Sequence, residues 1–405
     1  MTTSPVVVGL ADPRVEVRGA AWLEATADGL LPHRLPAWTR DQQPDDFMRM
    51  CDEQPAGVRL RFRTAARRLA LVVRVHRGTL SPDSDATVPG EPFDLVVDGQ
   101  VAARAAAGAA GPLVLDPLLR TTRTGAAPVT RVAFDLAADG PPSAGAVRDV
   151  EVWLPYRERV HLLALEAEAP VEAPAPVAAP RWVHHGSSIS HGASAASPTG
   201  TWPVVAAATA GLDLVNLGFS GNAVLDPFVA RTIRDAPAGL ISLKLGINVV
   251  NGDTMRRRAF APAVDGFLDT VREGHPTTPL LVVSPILCPM VEDVPGPTRI
   301  DPAAPPGAPV FETLGRTEEV AEGKLSLGAI REVLASVVER RRAAGDTALA
   351  YLDGRELYGW DDWAELPMAD LLHPDPPAHR RMGERFADVA RGLLAGRRAG
   401  VTASA

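Results

Sequence analysis

The chain has 405 residues, 46% of them hydrophobic and 22% charged, with a formal net charge of -8. That length suits two domains, and the acidic balance argues against nucleic acid as the main partner. Cys51 and Cys288, the two cysteines, stand far apart and outside any CxxC pattern, so neither a disulfide framework nor a structural zinc site is expected. No apolar run reaches the length of a membrane span, and the opening Met-Thr-Thr-Ser-Pro lacks a basic n-region. The expectation is a cytoplasmic protein in a reducing compartment.

From Val15 to about Ala169 the signals are mostly those of strands. Val58-Arg-Leu-Arg-Phe-Arg alternates apolar and charged residues with period two, as a half-buried strand does. Leu69–Val75 is a β-branched apolar run. Phe93–Val97 leads into Asp98-Gly99, a hairpin signal, and Val101 resumes the strand. Arg131–Leu136, Val147–Leu154 and His161–Glu166 read as further strands, and Asp45–Cys51 as one short helical turn. Short strands punctuated by glycine and proline predict a jelly-roll-like β-sandwich domain over residues 1–166. Pro170, Pro174, Pro176 and Pro180 make residues 167–180 read as an interdomain linker.

Residues 181–405 change pattern. Trp182–Val183, Leu214–Leu217, Leu240–Leu245, Leu280–Ser284 and Ala348–Leu352 read as buried parallel strands. Trp202–Ala210, Pro227–Asp235, Arg257–Glu273 and Gly328–Ala344 have helical spacing. Such alternation predicts a three-layer α/β domain, with functional residues at the carboxyl ends of the strands. Glu292–Gly323 is rich in proline and glycine and too long for an ordinary connection. It follows a strand, so it is expected as a binding loop or lid at the functional edge, or as a surface insertion.

Four stretches fall at these strand ends or near the C-terminus. Gly186-Ser187-Ser188 follows the first strand, where a glycine lets the chain turn and present a hydroxyl. Ser220-Gly221-Asn222 follows the second, Gly246-Ile247-Asn248 the third, and Asp370-Leu371-Leu372-His373 comes near the end. These are the parts acyl transfer needs. Ser188 is the candidate nucleophile, His373 its base and Asp370 the carboxylate that orients the imidazole. The Ser188 and Gly221 backbone N–H groups and the Asn248 side-chain amide are candidates for an oxyanion hole. Ser187 and Ser188 also suit helix capping, and Asn248 suits the same role.

In this order the blocks resemble those of the SGNH/GDSL hydrolase superfamily, over Arg181 to about Leu394. Ser187 stands where the family pattern has Asp, and Val249 where it has the Asp after Asn248. The resemblance implies a serine esterase that hydrolyses small acyl esters, O-acetyl groups above all, of a carbohydrate or a glycosylated or secondary metabolite. It implies no cofactor and no metal. An architecture with a β-sandwich ahead of such a domain is similar to that of two-domain carbohydrate esterases. An acyltransferase with the same triad, and a non-catalytic carbohydrate-binding protein on this scaffold, are the alternatives. The expected partner is a small-molecule acyl ester, with neither nucleic acid nor membrane involved.

Other residues have plainer readings. His184, His185 and His191 cluster in sequence without an Asp, Glu or Cys at ligand spacing, which favours packing or substrate contact over metal. Trp202 reads as helix packing, Cys288 as a buried thiol and His379 as a helix-surface residue. Asp353, Asp361 and Asp362 are weaker carboxylate candidates than Asp370, which has the local histidine. Trp360 and Trp363 read as site wall or packing.

Overall fold

The computed structural model describes residues 5–79, 90–116, 119–136, 146–305 and 307–402. Residues 1–4 of the N-terminal reading and Pro306 of the long loop lie outside these. The chain divides into two compact units, Met1–Ala178 with Ser197–Thr199, and Ala179–Ala196 with Gly200–Ala405.

In the first unit two largely antiparallel sheets share one core. One sheet, in spatial order, runs Thr121–Thr124, Gly111–Asp116, Arg68–Thr79, Glu158–Ala167, Gly29–His33 and Trp22–Thr26; Val6–Gly9 and Val129–Asp135 also pair in it. The other runs Val171–Glu172, Arg59–Thr64, Arg148–Trp153, Pro92–Val97 and Gln100–Ala106, with Glu16–Arg18 on Arg59–Thr64. The period-two pattern of the Arg59–Thr64 strand explains its place: Leu60 and Phe62 are buried in the core with Leu71, Val73, Val150 and Val152. One pairing is parallel, His76–Thr79 against Gly111–Val114. The stretch 167–180, expected as linker, is in part strand, because Val171 and Glu172 pair with Thr64 and Arg63. Val171 is buried in the core, so an apolar residue between prolines outweighs the extended-coil reading.

In the second unit the parallel sheet runs Asp213–Gly218, Arg181–Gly186, Leu240–Lys244, Leu280–Val283 and Leu349–Leu352 among the described residues. Nearly every position in these strands is buried, as sheets covered on both faces require. Trp182 stacks on Phe386 of the long terminal helix Pro376–Thr402, at 4.7 Å between ring centroids. His185, on the opposite face of the same strand, stacks on Phe267 of the helix Arg257–Gly274 at 5.9 Å. Helices therefore cover both faces, giving the three-layer α/β domain. In chain order the strands stand 2-1-3-4-5, so the topological switch point lies between Arg181–Gly186 and Leu240–Lys244. In open sheets of this kind the ligand crevice opens there, at the carboxyl ends.

The long loop has structure of its own. Thr298–Ile300 pairs antiparallel with Phe311–Thr313, and helix Leu327–Ala343 follows. His379, expected on a helix surface, is completely buried. It accepts from the Trp202 N–H at 3.1 Å and donates to the Ala193 carbonyl at 2.9 Å. Burial pushes its pKa down to about 4, which keeps it neutral between those partners.

Candidate active site

Strand Arg181–Gly186 ends where the chain must turn within a crowded space. A Cβ at Gly186 would lie 2.4 Å from Ser190 Oγ, and one at Gly218 on the neighbouring strand 2.4 Å from the His191 N. Only glycine at both positions lets the short helix Ser188–His191 sit this close to the sheet. Asn216 completes the seat. Its Nδ2 donates to the Ser190 carbonyl at 2.8 Å and its Oδ1 accepts from the Gly218 N–H at 2.9 Å.

The three histidines near this turn hold it in place. His184 bridges Ser242 Oγ, 2.7 Å from Nδ1, and Ser190 Oγ, 2.8 Å from Nε2. Its burial, with the charges of His185 and Lys244, keeps the pKa well below the usual histidine range, so the ring is neutral and offers one donor and one acceptor. His185 Nδ1 donates to the Leu217 carbonyl at 2.8 Å. His191 Nδ1 accepts from the Ser220 hydroxyl at 3.1 Å and N–H at 3.3 Å, tying the serine helix to the glycine turn. Among the described residues no group of three or more His, Cys, Asp and Glu is disposed to hold a metal ion.

The structure brings Ser188, His373 and Asp370 together across 185 residues of chain. Ser188 Oγ donates to His373 Nε2 at 2.8 Å, and His373 Nδ1 donates to Asp370 Oδ2 at 2.6 Å. Asp370 Oδ1 takes the backbone N–H groups of Leu372 at 2.9 Å and His373 at 2.7 Å. Burial would raise the Asp370 pKa, but the hydrogen bond and charge of His373 and these two N–H groups outweigh it and hold the carboxyl below the usual aspartate range. A charged carboxylate so held fixes the imidazole tautomer, with Nδ1 protonated and Nε2 free to accept.

Ser188 is the first residue of its helix, so its N–H has no acceptor within that helix. Gly221 sits in an exposed turn with φ of 65°, a conformation that suits glycine. Asn248 Oδ1 accepts from the Ala223 N–H at 3.1 Å, which leaves Nδ2 as the donor of that amide and links the third strand's loop to the glycine turn. Gly246, ahead of it, has φ of 119°, and a Cβ there would meet Ile330 at 2.4 Å. Ser188 and Asn248 thus stand on short helices that follow the first and third strands, Gly221 in the turn after the second, and the Ser188–His373 bond brings the Asp370–His373 turn to the same edge. This arrangement is competent for nucleophilic attack on a carbonyl carbon.

Some contacts around the site are not visible as motifs. Cys288 Sγ donates to the Leu371 carbonyl at 3.3 Å, inside the Asp370–His373 turn. Burial pushes this thiol up to about 12, so it remains a donor. Phe311 of the long loop donates its N–H to the Asp370 carbonyl at 3.0 Å and sets its ring edge-on to His373 at 5.7 Å. Arg331 bonds Glu292 and, at 3.3 Å, the Pro285 and Ile286 carbonyls, holding the loop that bears Cys288. Lys244, last residue of the third strand, is 1% exposed and its Nζ has no hydrogen-bond partner among the described residues. Of the weaker carboxylate candidates, Asp353 pairs with Arg355 and Asp362 with Arg381 and Arg385. Trp360 is 57% exposed.

Residues 180–288 match the family model described as the GDSL-like lipase/acylhydrolase family, and the second unit has the fold of the SGNH hydrolases. The salicylyl-acyltransferase SsfX3 from a tetracycline biosynthetic pathway is 28% identical, with a TM-score of 0.75 over 96% of this chain and 98% of that one. A candidate GDSL-like lipase from Bacteroides ovatus is 18% identical with a TM-score of 0.67, over 96% and 98% of the two chains. A family two carbohydrate esterase from Cellvibrio japonicus is 13% identical with a TM-score of 0.56, over 97% and 98%. No curated protein matches the chain. These neighbours are named as an acyltransferase, a lipase and an esterase, and this chain is similar to each of them.

Proposed function

We propose that this protein is a serine esterase that cleaves small acyl esters through a covalent acyl-enzyme. The observation that carries the reading is the chain of hydrogen bonds from Ser188 through His373 to Asp370. Ser188 Oγ attacks the ester carbonyl carbon while His373 Nε2 takes its proton. The carbonyl electron pair moves onto oxygen, and the Ser188 and Gly221 N–H groups and Asn248 Nδ2 meet that charge. The intermediate collapses, the carbon–oxygen bond to the alcohol breaks, and His373 gives its proton to the departing oxygen. Water, activated by the same imidazole, then releases the acid and restores Ser188.

The experiment is burst kinetics with p-nitrophenyl acetate and labelling with a serine-reactive phosphonate. The expected results are one p-nitrophenolate per chain in the burst and phosphonate on Ser188, both insensitive to EDTA. Loss of activity with EDTA and recovery with zinc would overturn the serine mechanism. A second reading, transfer of the acyl group to an alcohol in place of water, is favoured by the likeness to the salicylyl-acyltransferase along nearly the whole chain. Partitioning of the acyl-enzyme between water and an added alcohol separates the two.

A further inference from the structure

The reaction as written assigns sides to the site. His373 Nε2 gives its proton to the departing alcohol oxygen, so that oxygen lies beside the imidazole when the intermediate collapses. Residues packed around the His373 ring therefore border the alcohol part of the substrate. Phe311 is such a residue, its ring 5.7 Å from the His373 ring and at 74° to it. It stands directly across from Ile300 in the Thr298–Ile300 and Phe311–Thr313 pair. Partners directly opposite in an antiparallel pair project from the same face, so Ile300 shares the face of Phe311. The next pair, Arg299 and Glu312, projects from the other face and closes an ion pair at 2.7 Å. The hairpin thus has one charged face, while the face that meets His373 carries the Phe311–Ile300 pair with the Thr298–Thr313 pair beyond it.

Two apolar residues near the Phe311–Asp370 hydrogen bond, one on this face and one in the histidine turn, are left exposed. Ile300 is 40% exposed, so it does not complete the core. Leu371, inside the turn between Asp370 and His373, is 36% exposed and has φ of 66°. A leucine in the left-handed region is strained, and glycine or asparagine would sit there more easily. Packing offers no return for a strained, exposed leucine at that point, whereas contact with an apolar ligand does.

We propose that Phe311, Ile300 and Leu371 form an alcohol-side subsite for a flat, apolar ring system rather than for a sugar. The inference rests on the serine-ester reading above. A sugar's hydroxyl groups require hydrogen-bonding side chains around them; Arg299 and Glu312 face away, and on the near face Thr313 Oγ1 is engaged, donating to the Pro295 carbonyl at 2.6 Å and accepting from the Gly315 N–H at 3.2 Å. An apolar ring, by contrast, covers Phe311 and Leu371 and removes both from water.

The test compares naphthylethyl acetate with ethyl acetate, whose alcohols differ in the ring and little in the acidity of the hydroxyl. In the wild type, kcat/KM favours the naphthyl ester by about tenfold or more. Phe311→Ala and Leu371→Gly each lower that ratio by about fivefold or more. Glycine at 371 accepts the backbone conformation, so this variant keeps the test open if Phe311→Ala fails to fold. A ratio near one in the wild type, or equal losses on both esters in the variants, would overturn the subsite while leaving the esterase reading intact. Failure of the wild type to turn over p-nitrophenyl acetate or either test ester would remove the reading itself, and the subsite with it.

Discussion

Ser188 and His373 meet at 2.8 Å, but the two turns that bring them together are built differently. The serine turn is held by its own strand and the next one. Gly186 and Gly218 give it room, and His184, Asn216 and His191 bond it from within about 30 residues of chain. The histidine turn has local support from Asp370 and from Met368, whose carbonyl accepts from the Leu371 N–H at 3.1 Å. Longer-range support comes from Phe311 and from Cys288, the latter 83 residues away, and Leu371 within the turn is strained. The nucleophile is fixed by the buried sheet, whereas the base is fixed by loops folded over that sheet's edge. Disturbing the first should change chemistry or folding outright, and disturbing the second should change how well the base is aimed.

The largest expected effect is at the hydroxyl itself. Ser188→Ala should lower kcat for ester hydrolysis by about 10⁴-fold or more with an unchanged melting temperature. Ser187→Ala, at a buried hydroxyl with no hydrogen-bond partner among the described residues, should leave kcat within about threefold. Equal losses in the two variants would break the assignment of the serine turn. Next comes Asn248, which joins the third strand to the glycine turn. Asn248→Ala should lower kcat by about 10²–10³-fold with KM little changed. Asn248→Asp keeps an oxygen for the Ala223 N–H but loses the donor and adds a charge, so it should stay folded and be at least as damaging. An active Asn248→Asp enzyme would reduce Asn248 to a connector between loops.

The contrast also explains what could be read from the letters. The serine turn was legible because its parts are local: a short apolar run, a glycine, two serines. Even there the first strand was seen only as Trp182–Val183, because His184 and His185 look polar, yet both are buried in strand positions. The Asp370–His373 block was legible as a spacing. Its supports were not, since no pattern announces that Phe311 or Cys288 will reach it across the fold. His379 was misread for the same reason: its place in helix Pro376–Thr402 suits a surface position, and only the packing against Trp202 and Ala193 buries it. In the first unit, Val6–Gly9, Glu16–Arg18 and Trp22–Thr26 were missed because strands of three to five residues are too short for periodicity to show.

A smaller effect is expected where the histidine turn leans on Cys288. Cys288→Ala removes the thiol donor to the Leu371 carbonyl and should lower kcat by about 3–10-fold, because the imidazole is then less well aimed. Cys288→Ser restores a donor of nearly the same reach and should recover most of the loss. The paired measurement is kcat and KM for both variants beside their melting temperatures. A fall in melting temperature with kcat untouched in the alanine variant would show that the contact supports the fold and not the base.

The smallest effect on activity is expected at Lys244, which belongs to the serine side of the comparison through the strand that leads to Gly246 and Asn248. Its amine is buried without a hydrogen-bond partner among the described residues, and burial, with the charge of Arg331 adding to it, lowers its pKa from 10.5 to about 7; Cys288 opposes the shift. In the unfolded chain the group holds its proton up to its ordinary pKa, so between about 7 and 10.5 the unfolded state binds more protons than the folded one. Stability from this group is therefore greatest above the upper value, falls as the pH drops, and levels off below the lower one. Methionine has nearly the same length and no charge. Lys244→Met should raise stability at neutral pH by about 1–4 kcal/mol, with the gain shrinking toward pH 10. Its kcat should stay within about twofold, since the side chain is buried and makes no hydrogen bond to Ser188, Asn248 or His373. Denaturant melts of both proteins across that pH range check the sign. A gain that does not depend on pH would mean that the lysine is paired in solution. A large loss of kcat would mean that the amine takes part in aiming Asn248, and the serine side would then rely on a titrating group as the histidine side does.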